Sequence, residues 1–266
     1  MSQLIEVDSF RALVKGGMAD ALLSGSIGRG TISSKDLPWV RIPTGGSTRW
    51  SWTTKSGKEF SEKAITGLWV VLGPIESVLW PNTDATPGSQ PLLTSDDGIV
   101  AYRTGQDYGD LDRNVIEAAR NADGTYSVAK LPYFQWEGRG PGSKPPRAKS
   151  SMVIGILRRE DLFPLFIRVS QTSLKAVDDL YRGLYFDGIQ HWQTEVELSL
   201  EKKKGARADY AAIVAVSVGA VSEEQGLIAK ARITDVMTPI VCPPASSRAN
   251  GLANVSAVVV EEAVPF

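Results

Sequence analysis

Apolar positions recur at helical spacing near the start of the chain. Phe10, Leu13, Val14, Met18, Leu22 and Leu23 share one face of a helix expected over 6–24, with Asp8 or Ser9 able to cap it. Gly16-Gly17 weakens the middle of that helix. Residues 25–48 are rich in Gly, Ser and Thr and read as loop. Strand signals follow. Arg49-Trp50-Ser51-Trp52-Thr53 is short and aromatic, and 66–72 is a nearly continuous apolar run, as in a strand buried on both faces. Gly73-Pro74 ends it, and Ser77 to Trp80 forms the return.

From Pro81 to Ser150 the pattern loses its period. Gly, Pro, Asp and Ser dominate, so this segment of about 70 residues reads as a long inserted excursion between strands. Its charge is divided. Acids outnumber bases over 81–127, whereas 128–150 holds Lys130, Arg139, Lys144, Arg147 and Lys149 against Glu137 alone.

Regular pattern resumes with strands at 152–157 and 165–169. A helix over 172–187 follows, with Leu174, Val177, Leu180, Tyr181 and Leu184 inward and Gly188 as its stop. Residues 192–200 alternate: Trp192, Thr194, Val196, Leu198 and Leu200 on one face, Gln193, Glu195, Glu197 and Ser199 on the other. Lys202-Lys203-Lys204-Gly205 reads as a turn and Tyr210 to Val218 as the returning strand of a hairpin. Ser222-Glu223-Glu224 opens a last helix to about Val236. Beyond Thr238-Pro239 the composition reads as a tether, with Val258-Val259-Val260 able to add an edge strand.

This order predicts a mainly β, α+β fold. Five strands with a helix between the third and fourth suit an antiparallel barrel of the oligonucleotide-binding kind, carrying a long insertion and flanking helices. The expected division is one domain over 1–238, with 81–150 inserted, and a tail over 239–266.

Composition narrows the function. The chain has 266 residues, 42% apolar, with net charge −1, so any nucleic-acid surface must gather its cations locally. The single cysteine, Cys242, excludes an internal disulfide and a Cys-rich zinc site and fits a reducing compartment. With no run of about 20 apolar residues and no leader-like start, a cytoplasmic protein, in the host cell if viral, is expected.

Sequence-independent binding of a single strand needs cations for phosphate and flat rings for bases. Two segments offer both. The first holds Trp39, Arg41, Arg49, Trp50, Trp52, Lys55 and Lys58. Trp50 and Trp52 are two apart and share a strand face, which is either a stacking platform or a slab of core. The second holds Lys130, Tyr133, Phe134, Trp136, Arg139, Lys144, Arg147 and Lys149. It is either a clamp over a strand or a solvated loop anchored by its rings. Enzyme chemistry has thin support. His191 is the only histidine, and Asp107, Asp110 and Asp112 have a spacing that fits Mg²⁺ but also fits turns. No catalytic residue, metal site or cofactor is assigned.

The chain ends Glu261-Glu262-Ala263-Val264-Pro265-Phe266. Two acids, a short apolar stretch and a terminal Pro-Phe resemble the C-terminal tip of single-stranded DNA-binding proteins of bacteria and their phages. Thr66 to Trp80, Ser95-Asp96-Asp97-Gly98 and Leu162 to Ser173 with Gln171-Thr172-Ser173-Leu174 are similar to a group of phage and plasmid proteins thought to bind single-stranded DNA. The resemblance implies an oligonucleotide-binding barrel without catalysis, acting in DNA replication or recombination. It also implies that Glu261, Glu262, Pro265 and Phe266 recruit replication and repair proteins. The alternatives are a metal-dependent nuclease or phosphoryl-transfer enzyme using 107–112, and a virion or assembly protein.

Overall fold

The computed structural model describes residues 37–53, 57, 59–83, 89–138, 143–160, 163–205 and 208–249. The helix expected over 6–24, Lys55, Lys58, Arg139, Val258–Val260 and the Glu261–Phe266 tip lie outside them. The chain forms two compact units. The described part of unit 1 is 37–73 and 152–242, and that of unit 2 is 74–151 and 243–249. Both are mainly antiparallel β, and no helix of the described residues is long and apolar enough to cross a membrane.

In unit 1 the chain begins with β1 (Trp39–Val40) and the hairpin β2 (Trp50–Thr53) and β3 (Glu59–Glu62). It continues through β4 (Ala64–Leu72) and, after unit 2, the strand that runs out of it, β9 (Lys149–Arg158). Then come β10 (Pro164–Ser170), β11 (Thr194–Lys204) and β12 (Asp209–Ala220). The main sheet runs β12-β11-β4-β9, with β10 beside β9 and β1 parallel to β10. Among the described residues no pairing joins β12 to β1.

The apolar run of β4 is explained by its position. Ile65 and Trp69 point into a core with Ile154, Ile156, Val196 and Leu198, while Leu68 and Val70 point into a second core on the opposite side. A helix over Gln171–Phe186 contributes Val177 and Leu184 to the first core. The helical stretch after Ser222 contributes Ala229, Ile233, Met237 and Val241 to the second. Gly67 sits where β4 crosses β9 so closely that a Cβ would lie 2.1 Å from the Leu157 carbonyl oxygen. Only glycine fits there.

Within unit 2 the return over Ser77 to Trp80 was expected as strand and 81–150 as loop, and the latter is a correction. The unit holds β5 (Glu76–Leu79), β6 (Leu93–Ser95), β7 (Val100–Arg103) and β8 (Tyr126–Ser127), paired in that order, with β5 also on the first residues of β9. A short helix, α1 (Arg113–Ala118), is capped by Asp112. The strands are too short to show a period, yet Leu79, Leu92, Leu93, Ile116, Tyr126 and Leu131 are all fully buried together. Beside them Arg103 Nη1 donates to Tyr108 Oη at 2.8 Å, Glu117 Oε1 at 2.9 Å and Tyr126 Oη at 3.1 Å. The hydrogen bond from Tyr108, aided by Tyr126 and Arg103, holds the Glu117 carboxyl below its ordinary range.

The helix over Gln171–Phe186, α2, matches its expected bounds within a residue. Two other boundaries shift. The strand β11 continues through Lys204, so the three lysines expected in a turn are in the ladder, opposite Ala211, Tyr210 and Asp209. The expected tether from Pro239 holds helix on either side of Cys242–Pro244 as far as Ala249. The chain forms α3 (Glu223–Ala229), a π segment over Lys230–Thr234, α4 (Asp235–Val241) with Pro239 inside it, and α5 (Ala245–Ala249). Packing of Met237 and Val241 into the second core overrides the composition there.

Candidate nucleic-acid interface

The β2–β3 hairpin alternates strictly. In β2, Trp50 and Trp52 are buried while Ser51 and Thr53 are exposed. Ser51 faces Ser61 across the hairpin, and Arg41 bridges to Ser51 from the other side. Directly opposed residues project from the same face, so Arg41, Ser51 and Ser61 form one outward row. Arg49 joins it: its Nε donates to Ser61 Oγ at 3.0 Å and its Nη2 to the Ser61 carbonyl at 2.7 Å. Among the described residues neither Arg41 nor Arg49 pairs with a carboxylate. Two cations and two hydroxyls that can meet an anionic chain thus share one solvent face, which also carries the exposed Glu59 opposite Thr53.

The inward face of the hairpin holds this row in place. Trp50 is fully buried and donates its Nε1–H to the Leu198 carbonyl at 2.8 Å. Trp52 is buried, stacks on Phe60 at 5.1 Å between centroids, and has the Arg158 guanidinium 5.2 Å from its ring. The two rings do share a face, as their spacing requires, but it is the core face. The reading of Trp50 and Trp52 as a base-stacking platform is corrected accordingly, because neither ring has an open side. Trp39 is half-buried, tilted against Phe166 at 5.9 Å.

The second segment belongs to unit 2. Tyr133 and Phe134 are half-buried against its core, and Tyr133 Oη accepts the Asp112 N–H at 3.0 Å. They are anchors of a solvated loop. Trp136 differs, being 59% exposed. Next to it Glu137 and Lys144 exchange backbone hydrogen bonds and form an ion pair at 3.3 Å with both side chains in solvent. Lys130 and Lys149 are exposed. Arg147 is committed elsewhere: Nη2 donates to the Pro81 carbonyl at 3.0 Å and pairs with Asp110, whose carboxyl it holds below the ordinary range. That fixed bracing role replaces the phosphate contact expected of Arg147.

The three aspartates of the enzyme alternative are turn and cap groups. Asp107 accepts from Gly109 N, Asp110 pairs with Arg147, and Asp112 accepts from Asn114 N. Among the described residues no three His, Cys, Asp or Glu side chains converge as a metal site. The hairpin lysines are also partly committed, Lys202 to Asp209 at 2.6 Å and Lys203 to Glu201 at 2.8 Å. Sequence reasoning missed Ser51 and Ser61. Their signal was present in the alternation itself, since outward hydroxyls complement the inward tryptophans.

His191 is packed among aromatic rings. It lies edge-on to Trp69 at 5.9 Å and Tyr181 at 6.4 Å, and its enclosed Nε2 has no hydrogen-bond partner. Burial pushes its pKa down to about 4 from 6.5. The folded state therefore resists the proton that the unfolded chain takes up. Stability is full above pH 6.5 and falls as pH drops from 6.5 toward 4. Between pH 7.5 and 5.0, His191→Phe is expected to abolish about 2 kcal/mol of the wild-type loss, measured by denaturant unfolding at the two pH values. An equal loss in both proteins would show that the ring does not titrate in this way.

No family model matches the chain, and no curated protein or solved structure matches it significantly.

Proposed function

We propose that this protein binds single-stranded DNA without sequence preference, as a non-enzymatic factor in phage or plasmid DNA replication or recombination in the host cytoplasm. The observation that carries the reading is the outward row of Arg41, Ser51, Ser61 and Arg49, backed by a hairpin whose other face is locked into the core. Phosphates are held by the two guanidinium groups and the hydroxyls. In unit 2 the exposed ring of Trp136 supplies a stacking face, with Lys130, Lys144 and Lys149 as further cations. The reading needs this face and not closure into an oligonucleotide-binding barrel. The acidic-then-apolar segment Glu261–Phe266 serves replication or repair proteins and not DNA, because Glu261 and Glu262 repel phosphate.

The test is fluorescence anisotropy with labelled single- and double-stranded oligonucleotides across a salt series. Wild type is expected to prefer the single strand and to weaken steeply with salt. Arg41→Ala with Arg49→Ala should flatten the slope of log affinity against log salt by about 1.4, at about 0.7 for each phosphate no longer neutralised. Trp136→Ala should cost about 1–3 kcal/mol of binding at unchanged slope. Equal affinity for duplex, or no binding at low salt, removes the proposal.

A further inference from the structure

The inward face of β11 runs on beyond the core. Val196, Leu198 and Leu200 point into the first core. The ladder has no register shift after Val196, so Lys202 and Lys204 follow on the same face, in solvent. Glu201 and Lys203, which pair with each other at 2.8 Å, lie on the opposite face. Directly opposed residues share a face, so Asp209, opposite Lys204 and diagonal to Lys202, is on the side of these two lysines. Its carboxylate is 2.6 Å from Lys202 Nζ.

The turn before β2 rests on this lysine face. Gly46 is buried at φ +72°, and a Cβ there would lie 3.0 Å from Lys202 Cγ and 3.2 Å from both Lys202 Cε and Asp209 Cβ. Glycine is favoured there twice, by the backbone and by the lysine stem that crosses it. The stem is held while the side chain as a whole stays 54% exposed. Thr44, Gly45, Ser47 and Thr48 are exposed around it. Arg49 follows three residues after Gly46, so its Cα is within about 11 Å. Its N–H donates to Ser47 Oγ at 3.4 Å. Arg49, Lys202 and Lys204 thus gather about one turn. Glu59 stands at the other end of the hairpin, across from Thr53.

We infer that the binding surface of unit 1 extends across the Gly45-Gly46 turn to a further phosphate site at Lys202 and Lys204, where Asp209 holds the place of the phosphate until the strand arrives. The inference rests on the single-strand reading above. An exposed ion pair such as Lys202–Asp209 contributes little, so a phosphate that enters exchanges one anion for another at small cost. The lysine stem is already laid over Gly46, and less side-chain freedom is lost when its ammonium is engaged. The hydroxyls of Ser47 and Thr48 are donors for the phosphate oxygens. Asp209 opposes the strand by occupying Lys202 and by its own charge, so its removal strengthens binding.

Anisotropy of a labelled thymidine oligonucleotide with full-length variants over a salt series tests the site. Lys202→Met with Lys204→Met keeps an apolar stem over Gly46 and removes both charges. It should keep the thermal midpoint and flatten the slope of log affinity against log salt by about 1.4, at about 0.7 for each phosphate contact. Asp209→Asn should bind about two- to five-fold more tightly, the scale of one exposed charge pair. Lys203→Met, on the opposite face, should bind as wild type does. A wild-type slope in the double lysine variant, Asp209→Asn no tighter than wild type, or an equal loss in Lys203→Met each overturns the inference. The single-strand reading survives those outcomes if wild type binds and Arg41→Ala with Arg49→Ala flattens the slope. A wild type that does not bind the oligonucleotide removes both.

Discussion

Trp50→Ala is expected to lower the stability of unit 1 by about 3–5 kcal/mol, enough to unfold a marginal domain near body temperature. The ring is fully buried among side chains of the first core. Its removal leaves a cavity that β2, tied to β3 along four residues, cannot collapse to fill. It also strips the Leu198 carbonyl of the 2.8 Å bond from Nε1. Trp52→Phe is the instructive contrast. The Nε1 of Trp52 is enclosed without a partner, so the smaller ring discards an unsatisfied donor and should cost little. Urea unfolding followed by far-ultraviolet circular dichroism distinguishes the two. A folded Trp50→Ala protein of near wild-type stability, impaired only in binding DNA, would return that ring to the surface.

Arg159→Ala is expected to cost about 3 kcal/mol, the low end for a broken buried pair because Arg159 itself is partly exposed. Glu195 is 8% exposed and held on both oxygens by the Arg159 guanidinium, through Nε at 3.0 Å and through Nη2. Those bonds raise the arginine pKa. Without the arginine, a largely enclosed carboxylate is left against Gly219 near the start of β11. Replacing both partners, Arg159→Met with Glu195→Leu, should recover most of that stability, because the penalty arises from the orphaned charge and not from the missing attraction. Thermal unfolding of the single and double variants checks this. An equally unstable double variant would mean that the pair contributes more than it costs to bury.

Much of unit 1 was legible because its elements are long enough to display a period. The alternation of 194–200, the helical spacing after Thr172 and the continuous apolar run of β4 each correspond to the burial found. Unit 2 beyond β5 was not legible. Its strands are two to four residues long and its core is assembled from single leucines scattered among turn residues. The site was half legible. Spacing placed Trp50 and Trp52 on one face, but period two does not say which face is inside. That choice depends on β4, β9 and β11 lying beneath the hairpin, residues up to 148 positions away in the chain. Similarly, Arg147 and Lys144 are indistinguishable as cations of one basic loop. Only the fold puts Asp110 beside one and solvent around the other.

The position of β4 in its sheet has a consequence for the protein during its synthesis. Both of its neighbours are made much later: β9 completes at Arg158 and β11 begins at Thr194. From the moment Leu72 leaves the ribosome until then, the most apolar strand among the described residues has no partner of its own. Its sequence, Ala-Ile-Thr-Gly-Leu-Trp-Val-Val-Leu, carries no charge to keep nascent chains apart. The whole of unit 2 as far as Ser151 is translated in that interval, so the rate at which the ribosome traverses it sets how long β4 stays exposed.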